Sequence, residues 1–236
     1  MKTKITLLSL FFLTNVFIYA QDIYGLWEIK KVLVGGQIMT PVAKWTNIHK
    51  DGSYQSGNGW LQNSEGTWTF DKSKKLYTPI ETNGIKDEFG PFTVEFKNDT
   101  MTWLREEEGM IVTVSLKKIN KLPKSTADTM VGLWDLQEVL KNNKSIRDTV
   151  DPNNKHYIFI RWGRSYIERT PQGERSTGYW HINSHKPEVT LLNHDKKKPP
   201  KTWKVSASVN ELKMIGISDS NKDIEMIYKR IYQFPK

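Results

Sequence analysis

Ile23-Tyr24-Gly25-Leu26-Trp27-Glu28-Ile29 returns 107 residues later as Met130-Val131-Gly132-Leu133-Trp134-Asp135-Leu136, and this recurrence decides the fold. Both stretches run on into an apolar pair, Val32-Leu33 and Val139-Leu140. Working outward, Ile48 and Tyr54 match Ile160 and Tyr166, Gly66-Thr67-Trp68-Thr69-Phe70 matches Gly178-Tyr179-Trp180-His181-Ile182, and Lys117-Lys118-Ile119 matches Lys229-Arg230-Ile231. These later pairs are 112 apart, so the second unit carries about five extra residues, expected in the loop from Lys144 to Lys155. An ordered recurrence of this kind is the mark of a duplicated unit. It divides the chain into a first repeat over 21–120, a linker over 121–129 in which Pro123 stops the preceding strand, and a second repeat over 130–236.

Inside each repeat the period is two. Thr67 to Phe70, Thr93-Val94-Glu95-Phe96 and Ile111 to Leu116 alternate and are rich in β-branched residues; Tyr157 to Ile160 and Ser165 to Glu168 are short strands of the second copy. Turn residues separate them at Lys50-Asp51-Gly52-Ser53, Asp71 to Lys74, Lys97-Asn98-Asp99-Thr100, Glu108-Gly109 and Gly163-Arg164. No long amphipathic helix interrupts the pattern. Six to eight short up-and-down strands must hide their edges, and closing on themselves does so. The chain is therefore expected to be all-β, two tandem small antiparallel barrels.

The Gly-x-Trp of the first strand, the Asp51-Gly52-Ser53-Tyr54 hairpin, the Gly66-Thr67-Trp68 of a middle strand and the closing hairpin around Asn98-Asp99 together resemble a lipocalin-like, calycin-type domain of exported bacterial proteins. The second repeat departs from this pattern where Trp162-Gly163-Arg164-Ser165 replaces the Asp-Gly turn. The resemblance implies a barrel that binds a small apolar or amphipathic molecule, and the chain is expected to be a non-enzymatic binding protein.

Residues 1–20 are read separately. Lys2 and Lys4 precede an apolar run from Ile5 to Ile18, and Tyr19-Ala20 leads into polar Gln21-Asp22, the layout of a secretory signal peptide with Ala20 as the last residue removed; an uncleaved anchor is the alternative. The expected location is the periplasm, the cell envelope or the extracellular space of a bacterium. The chain has no cysteine, which excludes a disulfide framework, thiolate metal sites and a cysteine nucleophile.

Charge is unevenly placed. Residues 21–120 carry 12 Lys and Arg against 13 Asp and Glu, whereas 121–236 carry 21 against 13. The basic excess thus lies in the second repeat, in Arg161, Arg164, Arg169 and Arg175 and in Lys196-Lys197-Lys198-Pro199-Pro200-Lys201. Arg161 and Arg164 are interleaved with Trp162 and Tyr166, a set suited to an acidic group and an apolar or sugar face; these four are the candidate ligand-binding residues, expected at a barrel mouth. The expected partner is a small hydrophobic or amphipathic molecule. The alternative is an anionic glycan, a lipid headgroup or a partner protein held on the basic face, with nucleic acid not expected of an exported chain. No catalytic set, cofactor motif or metal site is expected: on a strand His181 and His185 stand roughly 13 Å apart, and His194 lies farther along. Trp45, Trp60, Trp103, Trp162 and Trp203 have no tryptophan at the equivalent place in the other repeat and are candidates for ligand contact, unlike Trp27, Trp68, Trp134 and Trp180, whose register marks them as core. Asp99-Thr100, Asp128-Thr129 and Asp148-Thr149 fit either glycan acceptors or Asx turns.

Overall fold

A computed structural model describes residues 22–82, 87–170 and 172–235 of the 236. The signal-peptide reading of residues 1–20 lies outside the described residues. The first repeat forms β1 (Gly25–Val34), β2 (Gln37–Met39), β3 (Trp45–Ile48), β4 (Ser53–Asn58), β5 (Leu61–Asp71), β6 (Leu76–Glu81), β7 (Phe92–Lys97), β8 (Thr100–Glu107) and β9 (Met110–Ile119). A short helix, α1 (Thr126–Met130), stands in the linker. The second repeat forms β10 (Gly132–Lys141), β11 (Lys144–Ser145), helix α2 (Arg147–Val150), β12 (Tyr157–Ile160), β13 (Ser165–Arg169), β14 (Arg175–Ile182), β15 (Glu188–Asn193), β16 (Lys201–Ala207), β17 (Glu211–Gly216) and β18 (Ile224–Ile231).

Each sheet closes. All pairings are antiparallel between chain neighbours, except that β1 pairs with both β3 and β9, and β10 with both β12 and β18. The result is two eight-stranded barrels, with β2 and β11 as short flaps on the first strand of each. Each barrel strand has a paired neighbour on both sides, with β6 meeting β7 at Leu76 and Tyr77, and this closure answers the edge problem set by so many short strands.

The duplication extends to backbone irregularities. A bulge between Ile29 and Lys31 has its counterpart between Leu136 and Glu138, and in the second copy it moves the inward face from Leu136 to Val139. The β1–β2 turn is Gly35-Gly36 and the β10–β11 turn Asn142-Asn143, all four at positive φ, as a two-residue hairpin with the sheet's twist requires. Gly66 and Gly178 sit where a Cβ would overlap the carbonyl oxygen of Ile80 or of Leu192 and crowd Tyr54 or Tyr166, so glycine is needed for close strand approach.

One end of each barrel is closed by the Gly-x-Trp motif. Trp27 Nε1 donates to the Ile23 carbonyl at 2.8 Å and Trp134 Nε1 to the Met130 carbonyl at 2.7 Å. A cation from the last strand lies over each ring: Lys118 Nζ is 5.2 Å from the Trp27 centroid and the Arg230 guanidinium carbon 4.0 Å from that of Trp134. Helix α1 seals the second barrel, burying Ala127 and Met130 in its core, and is held by a capping box between Ser125 and Asp128.

The five extra residues of the second repeat fall between β10 and β12, where α2 forms. The two interiors also differ. The first is filled with rings, Tyr77 against Trp103 at 4.8 Å and Phe92 against Trp103 at 5.7 Å, with Trp27, Trp68 and Phe96 around them. The second is lined mainly by aliphatic side chains and methionines, a difference that leaves space inside it.

Candidate functional site

The second barrel encloses a cavity of about 380 Å³, within the usual size of small-molecule sites. Every strand of the closed barrel contributes to its wall. Val139, Ile158, Leu191, Met214 and Met226 make the apolar lining, and Ile146 and Val150 flank it from the α2 segment. The opening lies at the end away from Trp134, among α2, Thr170 and the loops carrying Lys198-Pro199 and Ser220-Asn221.

The polar side chains inside are few. On β13, Tyr166 and Glu168 are two apart and share the inward face. His156 Nε2 stands 3.1 Å from Glu168 Oε1, a distance for an ion pair though outside good hydrogen-bond alignment. The His156 ring meets Tyr228 edge-on at 6.1 Å. His156 is positioned by buried Asp151, whose carboxylate accepts from the backbone N–H groups of Lys155 and His156. Burial acts to raise the Glu168 carboxyl, but His156, followed by Lys201 and Lys198, outweighs it and holds the group below its ordinary value. Tyr166 is shifted upward by burial and by the Glu168 charge, and Tyr228 strongly so by the same two causes.

Three cavity residues carry buried polar atoms without a hydrogen-bond partner: His156 Nδ1, Thr170 Oγ1 and Trp203 Nε1. Such groups cost free energy when unpaired and are satisfied at little further cost by a bound molecule. Other polar groups of the wall are bonded among themselves. Asn193 Nδ2 donates to Ser176 Oγ at 2.5 Å and to Tyr166 Oη at 3.3 Å, and Asn221 Nδ2 donates to the Thr202 carbonyl at 3.0 Å. With two lysines against one carboxylate in its lining, the cavity favours an acidic group near its opening.

The four residues singled out in the sequence are divided by the fold. Tyr166 is 3% exposed and lines the cavity. Arg161, Trp162 and Arg164 lie at the β12–β13 turn, at the opposite end of the barrel from the opening; at the opening, Lys198 and Lys201 take the place expected of the arginines. Arg164 donates to the Gln62 carbonyl at 3.1 Å and to Asn63 Oδ1, and Trp162 packs against Trp60; all three partners belong to the first barrel. The same seam holds Ser184 Oγ bonded to the Pro41 carbonyl, Lys44 Nζ bonded to the Lys124 carbonyl at 3.0 Å, and Leu61 buried in the second core.

Glu168 and His156 were not legible as site residues. The signal was the Tyr166-x-Glu168 spacing, which places an acid on the face that Tyr166 marks as inward. Of the tryptophans without a counterpart, Trp203 lines the cavity, Trp45 and Trp103 are buried in the first repeat, and Trp60 and Trp162 are exposed. Among the described residues, no three His, Asp or Glu side chains converge as a metal site. His194 Nδ1 instead shares a hydrogen bond with Thr177 Oγ1 at 2.9 Å. Asp128 of one Asp-Thr pair is committed to the α1 cap, and Thr129 is half-buried beside it.

A wider, open depression of about 800 Å³ lies on the first barrel beside Tyr54, Pro79, Phe89 and Arg105, the last held by Asp87 and Glu107. It borders residues 83–86, which are outside the described set, whereas the second-barrel cavity is lined by all eight strands of its barrel. No protein-family model and no curated protein matches the chain.

Proposed function

We propose that the protein is an exported, non-enzymatic binding protein of lipocalin-like type, which carries a small amphipathic acid in its second barrel. The observation that carries this reading is the 380 Å³ cavity, apolar along its walls, cationic at its opening and provided with unpartnered polar atoms inside. The acid group would meet Lys198 and Lys201, and a neighbouring hydroxyl or carbonyl would meet Thr170 Oγ1, all at the opening; a polar group farther along the ligand would meet Trp203 Nε1, and the hydrocarbon would lie on Leu191, Met214 and Met226. The first barrel, filled by its own rings, serves in this reading as the scaffold that holds the second.

The test is titration of the purified protein with 1-anilinonaphthalene-8-sulfonate, an anionic aromatic probe whose emission rises out of water. Saturable one-to-one binding is expected, lowered about tenfold in Leu191→Trp or Met214→Phe, whichever retains the native near-ultraviolet circular dichroism. Binding should also weaken with added salt, and less steeply in Lys198→Ala/Lys201→Ala. Unchanged affinity in a folded cavity-filling variant overturns the proposal.

A further inference from the structure

We propose that the seam between the barrels is a second binding site, separate from the cavity, for an anionic polysaccharide. Trp60 in the β4–β5 turn and Trp162 in the β12–β13 turn are 102 residues apart in sequence. The fold brings their ring centroids to 6.1 Å with planes 31° apart. Trp60 nevertheless remains 67% exposed and Trp162 51%, so the pair is an outward aromatic surface and not a buried joint. Adjacent exposed rings joined from two domains mark a contact site more strongly than scattered apolar residues do.

The rings stand on fixed supports. The Trp60 backbone N–H donates to Asp128 Oδ1 at 2.8 Å, and Gly59 leaves room for that carboxylate. On the other side, Trp180 Nε1 donates to the Arg161 carbonyl at 2.9 Å, the Trp180 N–H donates to the Arg164 carbonyl at 2.8 Å, and Arg164 reaches across to Gln62 and Asn63. A surface ordered in advance loses little entropy on binding.

Charge sets the ligand class. Arg161 lies 5.9 Å from the Phe159 centroid, and the Arg230 guanidinium donates to the carbonyls of Val209, Val131 and Thr129. Among the described residues, neither they nor Arg164 pair with an acid. Asp128, an acid at the seam, has both oxygens taken by backbone N–H groups of Trp60 and Ser125. A groove of about 570 Å³ beside Trp162 is lined by Phe159, Arg161, Ser165 and Arg230. A pyranose ring presents a C–H face to the electron-rich face of an indole, and its carboxylate or sulfate matches the guanidinium fork. The groove is open, which suits a chain that continues past the site. The equivalent turn of the first barrel, His49-Lys50-Asp51-Gly52-Ser53, has neither the ring nor the arginines.

The experiment is native electrophoresis of the purified protein in gels containing polygalacturonate, dextran sulfate or neutral dextran. Retardation is expected with one or both polyanions and not with neutral dextran, and whichever acts identifies carboxylate or sulfate as the charge read. Trp60→Ala/Trp162→Ala should lower the affinity at least fivefold, and Arg161→Gln should lower it and its salt dependence, while both keep cavity binding of the anilinonaphthalene probe. Leu191→Trp should lose the probe and keep the retardation, so the two sites fail separately. The proposal is overturned by absence of retardation, by equal retardation in neutral dextran, by full retardation of the double tryptophan variant, or by loss in Lys196→Ala/Lys197→Ala instead.

Discussion

The Arg164 guanidinium of the second barrel donates to the Gln62 carbonyl of the first at 3.1 Å, and does so from a backbone held at φ +58°. Its counterpart in the first repeat, Gly52, has φ +87° and no side chain to reach with. A non-glycine residue in this region is strained, so the second copy accepts strain at the position that joins the barrels. Arg164→Ala keeps the strain and loses the bonds, whereas Arg164→Gly loses the bonds and relieves it. In urea unfolding Arg164→Ala should therefore be the less stable of the two by about 1 kcal/mol. Equal stability would show that the turn is not strained.

Glu168 gives a prediction with a definite sign. Its folded value is depressed below the ordinary 4.5, so its contribution to stability is present above 4.5 and is lost as pH falls through the depressed folded value. Glu168→Gln should cost about 1–3 kcal/mol near neutrality. Melting temperature measured against pH should show wild type and variant converging on the acid side of 4.5, and a constant gap would mean that the carboxylate charge is not what stabilises.

Thr170 tests the unpartnered polar atoms. Its Oγ1 is buried without a partner, and valine has nearly its shape. Thr170→Val should leave the unliganded protein as stable or stabilise it by about 1 kcal/mol, because a buried hydroxyl without a bond is removed. The same substitution should weaken a ligand that carries a hydroxyl or carbonyl, read by calorimetric titration; a loss of stability of that size would show the hydroxyl to be bonded in solution.

Arg230 closes the second barrel through Trp134 and three carbonyls, where the first barrel uses Lys118 alone. A lysine at 230 keeps the charge and loses the fork. Arg230→Lys should destabilise by about 1–3 kcal/mol, seen as a lower urea midpoint for the second barrel, and the reciprocal Lys118→Arg should cost less than this. Equal costs would mean that the three carbonyl bonds contribute little.

The sequence by itself determined the duplication, the strands and the closed all-β architecture. Those depend on local and repeated features: alternation of period two, glycine at Gly25, Gly66, Gly132 and Gly178, and tryptophan beside it. Only the tertiary structure decided which copy is hollow, because interior volume depends on how Tyr77, Phe92 and Trp103 from separate strands meet in one barrel while Leu191, Met214 and Met226 face each other in the other. It also decided which basic residues face the cavity. Lys198 and Lys201 are at its opening and Arg161 and Arg164 at the far end, since successive turns of an up-and-down barrel fall at opposite ends and composition carries no sign of which end is open. The pairing of Trp60 with Trp162 arises from the docking of two hairpins 102 residues apart, a contact between domains that no pattern within either repeat encodes.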